Sequence, residues 1–330
     1  MAASGERLVL DRYVSDSGVL HGMAEEVARG LTAQPKWLPS KYFYDERGSA
    51  LFEEITQLPE YYQTRTEAAI LRAIAGALIA RFGFGSLVEI GSGSATKTRL
   101  LLDAMERQGV LREYVPFDVS ESILRASAEA LLRAYPTLTV HGVVGDFQQH
   151  LDRVPPASSR RLAIFLGSTI GNLDREERRV FLSRVRGMLR VGDALLLGVD
   201  LVKDIARLEA AYNDAAGVTA EFNRNILCAI NNALAADFIP DAYRHRAFFN
   251  MEEERIEMHL IPDSPQRVTL PACGIVVDID PAETIRTEIS CKFTRESTTE
   301  MLESAGLDLD EWHTDDQQLF ALAVAVPRGA

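Results

Sequence analysis

Leu87-Val-Glu-Ile-Gly91-Ser-Gly93-Ser-Ala-Thr-Lys97-Thr places a glycine-rich turn between an apolar run of strand length and a segment of helical periodicity. Glycine has no Cβ to hold a ligand away, so such a turn lets backbone N–H groups approach one closely. The run is not a Walker A loop, since Thr96 instead of glycine precedes Lys97. Nor is it a complete G-x-G-x-x-G dinucleotide fingerprint, since Thr96 stands at the third glycine. What remains is E-x-G-x-G at the first turn of an alternating pattern.

Strand-length runs and helical patterns alternate outward from that turn. Helical periodicity is expected over 66–82, 95–108, 120–135 and 175–189, and strands over 86–90, 114–117, 139–144, 162–166 and 193–199. Continuous apolar strands joined by helices predict an α/β fold with a doubly wound parallel sheet covered on both faces. The pattern changes after Leu201: helical stretches at 205–213 and 220–234 are followed by an alternating segment at 247–259, which suits an α+β insertion. A helix over 297–305, closed by Gly306, and an apolar strand over 319–326 then return to the first pattern. The expected organisation is one domain from 66–202 plus 293–330, and a discontinuous second domain from 10–65 plus 203–292.

Composition narrows the partners. The 330 residues are 47% hydrophobic and 25% charged, as in ordinary globular proteins. Lys and Arg total 35 against 48 Asp and Glu, a net charge of −13 that repels nucleic acid and anionic lipid. No apolar stretch is long enough to span a bilayer and the N-terminus has no signal-like pattern, so no membrane partner and a cytoplasmic location are expected. Cys228, Cys273 and Cys291 are widely spaced and odd in number, which suits reduced core thiols, and the six histidines form no zinc motif, so no metal is expected.

The E-x-G-x-G turn resembles the first motif of the class I S-adenosylmethionine-dependent methyltransferases (Rossmann-like fold), whose loop curls round the amino acid end of the methyl donor. The next strand ends carry suitable groups. Asp118 closes Val-Pro-Phe-Asp, where an adenosine ribose needs an acceptor for its hydroxyls. Asp146 and Phe147 close the third strand, where an acid can accept from the adenine amine beside a packing ring. The plain alternative for each acid alone is a helix N-cap, as Asp118 shortly precedes Ser120-Glu121.

Four further runs lie outside that generic scaffold: Lys41-Tyr-Phe-Tyr44-Asp45, Tyr61-Tyr-Gln-Thr-Arg65-Thr-Glu67, Gly167-Ser-Thr-Ile-Gly171-Asn172-Leu and Ile285-Arg-Thr-Glu288-Ile-Ser290. With the glycine turn they resemble the histidine-specific Nα-methyltransferases of ergothioneine biosynthesis, from about Lys41 to the C-terminus. That resemblance implies three successive methylations of the α-amine of L-histidine to hercynine. It implies that Gly91, Gly93, Lys97, Asp118, Asp146 and Phe147 contact S-adenosylmethionine. It places Asn172 and Tyr212 on the histidine carboxylate, with Gly167 in the same loop, and Tyr61 beside the amine. Tyr44 and Phe52 then line the pocket, Glu288 and Ser290 grip the imidazole, and Met258 lies against its face. A monomer acting on a small molecule, histidine or its mono- and dimethylated forms, is also implied.

The residue chemistry bears on this independently. Glu288 and Ser290 are two apart in an alternating run, so on a strand they share one face. One carboxylate acceptor and one hydroxyl satisfy the two nitrogens of an imidazole; the alternative is a polar stripe on an edge strand. Tyr42, Phe43, Tyr44, Phe52, Tyr61 and Tyr62 suit a core for the most part, although aromatic faces also stabilise a quaternary ammonium product by roughly 0.5 to 2 kcal/mol. No His or Lys stands out as a base, so Tyr61 is expected to orient the amine while protons leave to solvent. The competing readings are an N-methyltransferase of another aromatic amino acid, which Glu288 and Ser290 disfavour, and a nicotinamide-dependent oxidoreductase, which the broken fingerprint disfavours. A non-catalytic binding module is a third.

Overall fold

The computed structural model describes residues 7–92 and 97–329, with the Asp16 side chain left aside. Gly93 and the expected helix start at Ala95 lie outside the described residues. In chain order the elements are β1 (Leu8–Arg12), α1 (Asp16–Thr32), β2 (Lys36–Trp37), α2 (Glu46–Thr56), α3 (Gln63–Phe82), β3 (Ser86–Ile90), α4 (Thr98–Arg107), β4 (Glu113–Asp118), α5 (Glu121–Ala134) and β5 (Thr139–Val144). They continue with α6 (Phe147–His150), β6 (Arg161–Phe165), α7 (Arg175–Met188), β7 (Ala194–Asp200), α8 (Ile205–Ala210), α9 (Val218–Leu234), β8 (Tyr243–Asn250) and β9 (Arg255–Pro262). The last are β10 (Gln266–Leu270), β11 (Ile275–Ile279), β12 (Ile285–Cys291), α10 (Arg295–Ser304), β13 (Leu307–Thr314) and β14 (Phe320–Pro327).

The chain divides into two compact units: unit one holds 1–15, 66–201 and 293–330, and unit two holds 16–65 and 202–292. Unit one is built on an eight-stranded sheet in the order β1-β5-β4-β3-β6-β7-β14-β13. Strands β3, β6 and β7 are buried at every position, as expected of central parallel strands covered on both faces. Around them pack Leu71, Leu78, Ile79, Leu101, Met105 and Leu131 from the helices. Strand order reverses at β3, which pairs in parallel with β4 on one side and β6 on the other. In open α/β sheets the crevice beyond the carboxyl ends at such a reversal is where ligands bind.

Two strands of this sheet depart from expectation. Residues 10–15 were assigned to the second domain, but Leu8–Arg12 forms β1, parallel to β5 with Leu10 opposite Gly142. A Cβ at Gly142 would press on the Leu10 side chain. Strand β13 was not expected, because it is an acidic edge strand with little of its surface buried and a register shift between Leu309 and Glu311. The thiols also differ: Cys291 is buried, whereas Cys228 and Cys273 are partly exposed, and none of the three forms a disulfide.

Unit two carries a four-stranded sheet in the order β2-β12-β9-β8 and the β10–β11 hairpin. The single alternating segment at 247–259 turns out to be two antiparallel strands, with Ala247 opposite Met258. Helix α9 packs on β8 and β9, and its fully buried Asn223 binds the sheet by specific bonds. Its Nδ2 donates to His245 Nδ1 (2.8 Å) and to the His259 carbonyl (3.1 Å), and its Oδ1 accepts from Thr287 Oγ1 (2.6 Å). Burial lowers the pKa of His245, so its ring is neutral and Nε2–H donates to the Tyr212 carbonyl (2.8 Å). Deleting this amide removes three hydrogen bonds at once from part-buried and buried partners, each worth about 0.5–1.5 kcal/mol net. Asn223→Ala should therefore lower the thermal midpoint by several degrees; a melt coincident with the unmodified protein contradicts this bracing.

Candidate active site

The glycine turn leaves β3 with Gly91 at φ +73°. Its N–H donates to the Phe117 carbonyl at 2.8 Å, fixing the turn against the end of β4. Among the described residues no atom lies within 4 Å of where a Cβ would stand on Gly91. Just before the turn, the buried Glu89 accepts from Thr98 Oγ1 (2.5 Å) and from the Tyr114 hydroxyl. Burial pushes its pKa up to about 7, against the pull of those hydrogen bonds and of Lys97.

Asp118, Asp146 and Phe147 stand at or just past the ends of β4 and β5, as the sequence suggested. Their hydrogen bonding differs. Ser120 caps α5, accepting from Ile123 N, so Asp118 is not the cap, although its Oδ1 accepts from Ser120 N (3.1 Å). Asp146 does cap α6, its Oδ1 accepting from Gln148 N (2.8 Å). Phe147 packs edge-on against Phe165 and Phe181, with ring centroids 5.6 Å from each.

Lys97 ion-pairs with Glu67, whose carboxylate is fully shielded from solvent. The other oxygen of Glu67 accepts from the Gly167 N–H (2.7 Å). One acid on α3 thus holds both the lysine of the glycine turn and the turn that follows β6. Gly167 and Ser168 there have positive φ (+77° and +57°), and Ser168 Oγ accepts from Asp200 N (2.9 Å). Asn172 ends the short 3-10 turn that follows. Gly198 on β7 is required by the same acid, since a Cβ there would overlap the Glu67 carboxylate. Glu67 was not among the expected site residues. Its signal was an acid on the otherwise apolar stripe of α3, in register with Ile70, Leu71, Ile74 and Leu78.

In unit two, Glu288 and Ser290 both lie on β12, opposite Met258 and Ile256 of β9. The Tyr212 hydroxyl donates to Ser290 Oγ (2.8 Å), so a Tyr212 contact to a substrate carboxylate requires it to turn from Ser290. Burial pushes the Glu288 carboxyl up to about 7, while Lys292 pulls it down. Tyr44 is exposed as a residue; desolvation of its hydroxyl, followed by Glu288 and Tyr212, raises its pKa.

The aromatic run divides. Phe43 and Tyr62 are core residues, and Tyr42 donates to Glu26 Oε2 (2.6 Å). Phe52 stands edge-on between Tyr44 (centroids 5.6 Å) and Tyr61 (6.1 Å). Phe222 of α9 joins the cluster at 5.8 Å from Tyr44 and 6.0 Å from Phe52. It was not foreseen, because on a helix an aromatic at apolar spacing reads as core. The expected residues therefore gather as two sets: Gly91, Lys97, Asp118, Asp146, Phe147, Gly167 and Asn172 in unit one, and Tyr44, Phe52, Tyr61, Tyr212, Met258, Glu288 and Ser290 in unit two. Among the described residues no group of three or more His, Cys, Asp or Glu could hold a metal ion.

A family model described as histidine-specific methyltransferase, SAM-dependent, matches residues 23–327. The chain belongs to that family. It is 49% identical to the histidine N-alpha-methyltransferase of Mycolicibacterium smegmatis over 97% of this chain and 99% of that one. It is 50% identical to the enzyme of the same name from Mycobacterium tuberculosis, over 96% of this chain and 98% of the relative. A third relative, ergothioneine biosynthesis protein 1 of Neurospora crassa, is 33% identical over 84% of this chain and 32% of its own length. The sheet is accordingly that of a class I methyltransferase, with β14 antiparallel beside β7. S-adenosylmethionine is the methyl donor, and the described residues fit it: a glycine at positive φ just past β3, carboxylates at successive strand ends and a lysine held by a buried acid.

Gly198→Ala should drive the Glu67 carboxylate out of place and release Lys97 and Gly167 together. The expected result is at least tenfold weaker binding of S-adenosylhomocysteine by calorimetry, with a lowered melting temperature. Unchanged affinity contradicts the coupling.

Proposed function

We propose that this methyltransferase transfers three methyl groups in succession to the α-amine of L-histidine, producing hercynine for ergothioneine biosynthesis. It would act as a cytoplasmic monomer on histidine and its mono- and dimethylated forms, without nucleic acid or membrane partners. In this reading unit one binds S-adenosylmethionine and unit two supplies most of the histidine contacts. The observation that carries it is the pairing of Glu288 and Ser290 along β12. A carboxylate and a hydroxyl spaced this way match the two ring nitrogens of imidazole. An indole has one N–H and no second polar atom, so it gives the Ser290 hydroxyl no ring nitrogen to bond.

S-adenosylmethionine supplies an electrophilic methyl group on a sulfonium. The chain has to place a neutral amine in line with it and exclude water. Gly91, with Gly93 of the same turn, would approach the amino acid end of the cofactor; Lys97, held by Glu67, would meet its carboxylate. Asp118 would accept from the ribose hydroxyls, and Asp146 from the adenine amine beside Phe147. Asn172, with Gly167, would hold the histidine carboxylate together with Tyr212. Tyr61 would orient the amine by a hydrogen bond as its protons leave to solvent. Tyr44 and Phe52 would line the pocket and Met258 lie against the imidazole. The rings also favour the quaternary ammonium product, by roughly 0.5 to 2 kcal/mol.

Incubation with S-adenosylmethionine and a panel of amino acids, followed by mass spectrometry, should give histidine carrying three added methyl groups. Preferential methylation of a tryptophan derivative contradicts the substrate assignment. Glu288→Ala should cost about 1–3 kcal/mol in histidine binding by leaving an imidazole N–H unpaired. Undiminished affinity removes Glu288 from the site. Tyr61→Phe should slow turnover or stop the series at one or two methyl groups, while full trimethylation at an unchanged rate removes Tyr61 from the reaction.

A further inference from the structure

Lys292, one residue beyond β12, is 4% exposed and so far enters only through its pull on the Glu288 carboxyl. Its Nζ donates to Ser290 Oγ (2.9 Å) and to the Tyr212 hydroxyl oxygen (3.1 Å), and lies 4.9 Å from the centroid of the Tyr212 ring. An ammonium has donors and no acceptor, so the direction of these two bonds is fixed. Each hydroxyl oxygen must accept from Lys292 and turn its own proton elsewhere. Tyr212 donates to Ser290. Ser290 Oγ then accepts twice, from Tyr212 and Lys292, and its proton is left to point outward.

We propose that Lys292 is a positioning residue that sets the proton polarity of the imidazole subsite, making Ser290 a donor opposite the acceptor Glu288, so that the neutral imidazole is taken and imidazolium refused. This rests on the reading of Glu288 and Ser290 as the imidazole partners. A neutral imidazole has one N–H for Glu288 and one bare nitrogen for Ser290. Imidazolium has two N–H groups, so one would face the Ser290 proton close to a buried cation. The same polarity leaves Tyr212 a proton to give a substrate carboxylate when it turns from Ser290, since Lys292 still occupies its oxygen. Burial raises the Glu288 carboxyl to about 7, and the charge of Lys292 opposes that rise. Among the described residues, Glu288 and Tyr212 also act on the hydroxyl of Tyr44.

The test compares two ligands by calorimetry between pH 5.5 and 8: L-histidine, and L-1,2,4-triazolylalanine, whose ring offers an N–H and bare nitrogens without gaining a proton in this range. Titration of Glu288 affects both, so their affinity ratio reports the ring charge alone. In the unmodified protein the ratio should shift against histidine by about tenfold per pH unit below about 6.5. Lys292→Met should flatten that dependence and weaken both ligands at least tenfold at pH 8, with S-adenosylhomocysteine affinity unchanged. Lys292→Arg, which keeps charge and donors, should retain the slope. A flat ratio in the unmodified protein overturns the inference even where no variant folds. So does an unaltered slope, or unaltered histidine affinity at pH 8, in Lys292→Met. An unmodified protein that binds no histidine at any pH instead overturns the functional reading on which this one rests.

Discussion

The Glu67 carboxylate, sealed from solvent on α3, is the constraint around which the ligand-facing turns of unit one are set. Burying a charge costs several kcal/mol unless it is paired and hydrogen-bonded. Here Lys97 supplies the opposite charge and Gly167 a backbone donor, so both oxygens are engaged. The cost of burial becomes a geometric requirement. The turn after β3, the turn after β6 and the surface of β7 at Gly198 have to keep the spacing that one carboxylate dictates. That requirement links the glycine turn after β3 to the Gly167–Asn172 turn after β6.

Unit two meets a similar requirement with neutral groups. Asn223 reaches β12 through Thr287 and the Tyr212 backbone through His245, so one amide governs the elements that carry Glu288, Ser290 and the Tyr212 hydroxyl. The cation at Lys292 sits on this frame and bonds the two hydroxyls directly. Beside the Tyr212 and Ser290 hydroxyls the charged groups are Glu288 and Lys292, and in the proposed subsite their separation gives a donor end and an acceptor end. A zwitterionic amino acid can be recognised there without a basic patch, in keeping with a net charge of −13.

Much of this was legible in the sequence because burial on both faces forces central strands to be continuously apolar. The runs at 86–90, 162–166 and 193–199 could hardly be other than strands. Edge strands obey no such rule, and β1 and β13 escaped notice because each is paired on one side only and presents much of its surface to water. The places of candidate residues were legible where a motif fixed them, as at the turn of Gly91 and the strand end of Asp118. Residues that act through others were not. Glu67 reads as one more acid unless its place on an apolar stripe is noticed. Lys292 continues the two-residue spacing of Glu288 and Ser290, but only the folded chain shows that its ammonium turns back onto Ser290. Phe222 is distant in sequence from the rings it joins.

A crystal structure with L-histidine and S-adenosylhomocysteine bound tests the central claim most directly. One imidazole nitrogen is expected within hydrogen-bonding distance of a Glu288 carboxylate oxygen and the other within the same distance of Ser290 Oγ. An imidazole bound away from both residues contradicts the account.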